Sequence, residues 1–195
     1  IRNLKRHKEY EECFERTYDE IRKYKDNAVA YIAGHIPHSK TQRAPELVDQ
    51  LSRLFKNLSD IVPTIIIAGN HDCNLNNRSR MDVLTPIVQN LNHPNLHYFK
   101  DSGIYKVADV SFVVWDCWSK EDEFITSDQV DGDTKIVLFH GTVDKSETDL
   151  GFKLPSDVHI SKFDGYDMGL LGDIHKRQHL NEEETISYCG SLVQQ

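Results

Sequence analysis

Residues 64–72 read Thr-Ile-Ile-Ile-Ala-Gly-Asn-His-Asp. The run 64–68 is short, apolar and rich in β-branched residues, the pattern of a strand buried on both faces. It ends at a glycine, which permits a sharp turn. The turn then carries three chemically useful groups. The Asn70 carbonyl can ligate a cation, His71 can hold or release a proton, and the Asp72 carboxylate beside it can orient the ring. The competing reading is an Asx-type turn with a surface histidine. What decides between them is recurrence. The apolar run 28–33 (AVAYIA) leads into Gly34-His35-Ile36-Pro37-His38, the run 135–139 (KIVLF) leads into His140-Gly141, and Gly-Leu-Leu at 169–171 leads into Gly172-Asp173-Ile174-His175. Asp173 and His175 lie two apart, so on an extended segment they point to one side. A lone strand-end histidine such as His140 or His38 is ordinary. Four polar clusters that all follow buried strands are not, because carboxyl ends of strands in α/β folds converge on one edge, where ligands bind.

Working outward, Tyr10, Cys13, Phe14, Thr17, Tyr18 and Ile21 recur at helical spacing and predict a helix over 8–25. Pro45 suits a first helical position, and Leu47, Val48, Leu51, Leu54, Phe55 and Leu58 supply the apolar face that follows it. A third helix is expected over 81–91, kinked or shortened by Pro86. Beyond residue 95 the pattern turns strand-rich, with expected strands at 96–99, 103–107, 110–115, 135–139, 168–171 and 185–188, and a hairpin around Ala108-Asp109. The fold class expected is α/β, a two-sheet β-sandwich flanked by helices. No repeat, low-complexity tract or linker divides residues 1–195, so they read as one domain. The first helix follows Ile1 with no strand before it, and residues 190–195 follow a strand with no closing element, so truncation at both ends is expected.

Composition narrows the class. With 195 residues, 38% hydrophobic and 28% charged, the chain suits a globular domain with a core of its own. No stretch approaches the ~20 apolar residues of a membrane helix. The net charge of −8, from 31 acids against 23 bases, argues against coating nucleic acid by bulk charge. It leaves a nuclease open, since bound cations supply a local positive field. Cys13, Cys73, Cys117 and Cys189 form no C-x-x-C pair, and their scatter suggests free thiols in a reducing, cytoplasmic compartment. Trp115 and Trp118 read as packing rather than base-stacking. His7, His93, His97 and His159 read as surface or structural, and His179 stays undecided.

Taken in order, the four clusters resemble the calcineurin-like metallophosphoesterases, whose pattern runs D-x-H, G-D-x-x-H, G-N-H-D/E, H, G-H-x-H. The stretch 166–178 (YDMGLLGDIHKRQ), with 188–192 (YCGSL) and the run His38-Ser39-Lys40-Thr41-Gln42, is similar to the DNA-repair exonuclease branch, the SbcCD nuclease-subunit type and its phage and viral relatives. The resemblance implies a metal-dependent hydrolase of DNA phosphodiesters using two divalent cations, most often Mn2+, with an SMC-like ATPase as partner and a possible homodimer. By position it makes Asn70, His140 and Asp173 ligands of one cation and His175 a ligand of the other. His71 becomes a proton donor to the leaving oxygen, oriented by Asp72, and His38 a residue beside the metals. Lys176 and Arg177 become candidate DNA contacts, or merely solvated cations. The sequence departs from the pattern in three places. The D-x-H block is absent, Asp173 stands where most members have histidine, and His35 stands where the family has a bridging aspartate. A neutral imidazole offers one lone pair and no charge, so it cannot bridge two cations, and impaired catalysis is expected of the chain as it stands. Another phosphodiesterase, a protein phosphatase or an inactive assembly domain on the same scaffold are the competing expectations.

Overall fold

The computed structural model describes residues 4–36 and 45–193, with side chains from His7 onward. His38 and the basic run after it lie outside the described residues. The elements run α1 (Leu4–Arg22), β1 (Ala30–Ile32), α2 (Pro45–Ile61), β2 (Thr64–Ile67), α3 (Leu84–Leu91), β3 (Leu96–Phe99), β4 (Gly103–Val107), β5 (Val110–Trp115), β6 (Lys135–His140), β7 (Met168–Gly172), β8 (Gln178–His179) and β9 (Ile186–Tyr188).

The strands form two sheets. The first is parallel throughout, in the order β1-β2-β3. The second has the order β4-β5-β6-β7-β9-β8. Its central strands β5, β6, β7 and β9 are parallel, and antiparallel β4 and β8 form its edges. Strand alternation builds the layers. Ile65 and Ile67 of β2 meet Phe112 and Val114 of β5 and Leu138 of β6 between the sheets. Ile66 points the other way, into a core with Tyr18 of α1, Leu51, Leu54, Phe55 and Leu58 of α2, and Leu84 and Ile87 of α3. Val113 and Trp115 of β5 and Val137 and Phe139 of β6 face a third core with Phe124, Phe163 and Tyr166. The sandwich flanked by helices is therefore present, with α-helices over the first sheet. The outer face of the second is covered by loops and 3-10 turns at Glu121–Glu123, Ser127–Gln129 and Ile160–Phe163.

Two features go beyond the sequence expectations. Residues 96–99 open the strand-rich half of the chain, yet β3 completes the first sheet, parallel to β2, because α3 carries the chain across the sheet face between them. The third helix begins at Leu84 rather than 81. The Asp82 carboxylate accepts from the Leu84 and Thr85 amides and fixes the start. Pro86 then falls in the first turn, where its missing N–H has no helical partner to lose. Ala108 takes a left-handed φ of 53° to close the β4–β5 hairpin without a glycine.

Candidate metal centre

β1 and β2 belong to one sheet, β6 and β7 to the other, and all four polar clusters emerge on one edge of the sandwich. His140, the last residue of β6, lies beside Gly172 in register and joins the two sheets. Its Nδ1 is 2.5 Å from the carbonyl oxygen of Ala33, which directly follows β1. A carbonyl only accepts, so Nδ1 carries the proton and Nε2 keeps its lone pair. That Nε2 is buried and has no hydrogen-bond partner among the described residues. It faces Asp173 Oδ1 at 3.6 Å. Burial holds His140 down at about 4, only partly opposed by the Ala33 bond, so the ring is neutral at pH 7. A lone pair and a carboxylate oxygen facing each other with no proton between them is an arrangement that a cation satisfies.

Glycines make this approach possible. A Cβ on Gly69 would lie 2.6 Å from His140 Cε1, and one on Gly34 would lie 2.6 Å from the Gly69 nitrogen. On Gly172 it would lie 2.1 Å from the Ala33 oxygen and 2.9 Å from His140 Nδ1. Each glycine opens one of the polar clusters, and together they leave room for the His140 ring. Backbone strain gathers at the same place, with φ of 55° at His35 and 93° at Asp173.

His35, His140 and Asp173 offer ligand atoms that all lie within 4.8 Å of one another. His35 Nε2 is 2.5 Å from Asn70 Oδ1 and 3.4 Å from Asp173 Oδ1, while Asn70 Nδ2 reaches Asp173 Oδ1 at 3.4 Å. Burial lowers the His35 pKa, with Asn70 and Asp173 opposing. Its ring also packs edge-on against His71 and His140, with centroids 4.6 and 4.4 Å away. His175 stands at the exposed rim, its ring centroid 6.0 Å from that of His35. The structure thus brings Asn70, His71, His140, Asp173 and His175 together around His35.

Asp72 is buried, and its two oxygens accept from the Ile36 and Gly69 amides at 3.0 and 2.7 Å. It ties the loop after β1 to the loop after β2, a bracing contribution that the reading of Asp72 as an orienter of His71 did not include. Lys176 pairs with Glu147 at 3.0 Å, and Arg177 is exposed. Ser191 donates to the His175 carbonyl, so the stretches 166–178 and 188–192 touch each other. Trp115 is core, stacked on Phe124 at 4.3 Å, and Trp118 donates to the Asn74 carbonyl. His93 and His159 pair with Asp60 and Asp144. Sequence reasoning missed Tyr188, whose buried hydroxyl accepts from the Val143 amide and donates to the Gly141 carbonyl, bracing the loop behind His140. It also missed Thr142, whose hydroxyl lies 3.5 Å from Asp173 Oδ2. No spacing signal marks either one.

A sandwich with helices over one sheet and a strand-edge cluster of imidazole, carboxylate and amide groups is an arrangement that could hold a metal ion. A family model described as calcineurin-like phosphoesterase matches residues 7–177, and the chain belongs to that family. It is also 40% identical over 209 aligned residues to an uncharacterized protein of Acanthamoeba polyphaga mimivirus. That match covers the whole of this chain and 15% of the viral protein.

The family uses divalent cations, and the residues present fit one. His140 Nε2, Asp173 and the Asn70 carbonyl supply a nitrogen and two kinds of oxygen, a mixed set that suits first-row divalent ions. The Ala33 carbonyl supplies the hydrogen bond that fixes the ligating tautomer. A cation held there would polarise a phosphoryl oxygen and acidify a water. No described helix is long and apolar enough to cross a membrane.

Proposed function

We propose that this chain is the catalytic domain of an intracellular, Mn2+-dependent DNA exo- or endonuclease that acts with an SMC-like ATPase. The observation that carries the metal-dependent reading is the buried, unpartnered His140 Nε2 facing Asp173. The nuclease reading is supported by the likeness of 166–178 and 188–192 to the DNA-repair branch. In this reading Asn70, His140 and Asp173 hold one divalent cation and His175 helps to hold a second. His71 gives a proton to the leaving oxygen, and Asp72 keeps the two loops in register. Lys176 and Arg177 sit on the rim beyond His175, where a phosphate backbone would pass.

The test is release of nucleotides from end-labelled linear duplex DNA. It uses the full-length protein that contains this chain, in MnCl2, with the ATPase partner present. The expected result is cleavage that EDTA abolishes. Release of phosphate from a monoester such as p-nitrophenyl phosphate, with DNA left intact, would instead make the domain a phosphatase.

One observation favours a second reading, of weakened catalysis. Where the family has a bridging carboxylate, His35 engages Asn70 Oδ1, the atom that Asn70 would turn to a cation. A cation would share that oxygen with His35. This reading expects zero or one tightly held cation per chain, and metal analysis after dialysis that finds two would remove it.

A further inference from the structure

Cys73 directly follows the Gly69–Asp72 loop, and Cys117 directly follows Asp116 at the end of β5. They are 44 residues apart in sequence, yet their sulfurs lie 3.2 Å apart, and both thiols are free. Cys73 also lies 3.2 Å from the Gly69 carbonyl oxygen, to which its thiol donates, so it closes the loop that carries Asn70 and His71. The segment holding Cys117 has its own anchors, some of them on the loop that follows Cys73. Buried Asp116 accepts from the Ser102, Trp118 and Ser119 amides and pairs with Arg78.

From this arrangement we infer that Cys73 and Cys117 form a reversible disulfide under peroxide, and that the bond pulls the Gly69–Cys73 loop out of its metal-binding geometry. The chemistry balances. One thiolate attacks a peroxide oxygen, the O–O bond breaks, and a sulfenic acid and one water result. The second thiol attacks the sulfenic sulfur, the S–S bond forms, and a second water leaves. Two thiols lose two electrons and two protons to one hydrogen peroxide. Cys73 is the better first nucleophile, because the hydrogen bond from Cys117 holds its thiol below the usual range. Cys73 is buried and borders a cleft of about 730 Å³ together with Asn74, Arg80, Met81 and Asn90, from which peroxide would have to reach it.

An S–S bond is about 2.05 Å long, so closure brings the sulfurs roughly 1 Å nearer and takes the Cys73 thiol from the Gly69 carbonyl. Metal–ligand distances tolerate only about 0.2 Å. Both segments are held, that of Cys117 by Asp116 and that of Cys73 by Asp72, but only the Cys73 side carries a site residue, Asn70, three positions away, so the share of the displacement taken there reaches the site. The consequence for metal rests on the proposed function above. The crosslink itself does not.

The experiment treats the purified protein with hydrogen peroxide, maps disulfide-linked peptides by mass spectrometry, and measures Mn2+ binding calorimetrically before and after. The expected result is a Cys73–Cys117 link that dithiothreitol reverses, with Mn2+ affinity falling roughly 10–100-fold, as when groups that orient metal ligands are disturbed. Cys117→Ser and Cys117→Ala should bind Mn2+ as the reduced protein does before peroxide and form no Cys73 crosslink after it. Separate alkylation of both thiols after treatment overturns the crosslink, and a mapped link with unchanged Mn2+ affinity overturns the coupling. Reduced protein that binds no Mn2+ defeats the metal reading, and the mapping still decides the crosslink.

Discussion

At residue scale His35 is the most informative position. It occupies a left-handed backbone conformation in the middle of the site, touching Asn70, His71 and His140. A carboxylate here would bring negative charge and two oxygens, and it would leave Asn70 Oδ1 free to turn toward a cation. An imidazole brings neither and engages that oxygen. His35→Asp is therefore expected to raise Mn2+ affinity by roughly tenfold, which is about 1.4 kcal/mol. Calorimetric titration of the variant against the parent checks this, and unchanged or weaker binding would show that His35 itself is a competent ligand. Aspartate also tolerates positive φ better than most residues, so the backbone is no obstacle to the exchange.

The element contact that matters most for the site is the end of β7 against the residue that follows β1. Gly172 lets the Ala33 carbonyl come close enough to receive the His140 proton, and no side chain fits between them. Gly172→Ala would place a methyl 2.1 Å from a backbone oxygen that cannot swing aside. The expected outcome is a loss of about 1–3 kcal/mol, typical of overpacking, together with loss of Mn2+ binding as the His140 ring is displaced. Urea denaturation and metal titration on the same variant read the two effects. Wild-type affinity in a destabilised variant would mean that the approach of β7 to β1 serves stability alone.

For the whole molecule, the same buried histidine couples folding to pH. His140 rests at about 4 in the folded chain against 6.5 when exposed. Between those values the unfolded chain binds more protons than the folded one, so stability falls as pH drops through that window. A shift of this size corresponds to roughly 3 kcal/mol. Burial lowers His35 in the same direction. Asp82 and Asp116 are held below 3.8, so their stabilisation is lost only as pH falls further, which separates the two effects. Denaturation in EDTA across pH 4–8 should show the loss, and His140→Gln should remove most of it. An equal slope in that variant would place the titrating group elsewhere.

Much of the molecule was legible before folding, because strand and turn chemistry is local. The apolar runs before Gly34, Gly69, His140 and Gly172 announce buried strands, and the polar residues after them announce the edge where those strands meet. The order of the four clusters was enough to point to the family, and the hairpin around Ala108-Asp109 was readable for the same reason. The remainder depends on contacts between residues far apart in sequence, which periodicity does not encode. Only the packing of one sheet on the other puts the Ala33 carbonyl against His140, and so decides which nitrogen of the ring is free. Only the crossover through α3 returns Leu96–Phe99 to the first sheet. Cysteines scattered along the chain proved to be neighbours at 73 and 117 because the loop after β2 folds against the end of β5. Ligand identity is a property of side chains and is written in the sequence. Tautomer, desolvation and thiol pairing are properties of what surrounds them, and only the tertiary structure supplies those surroundings.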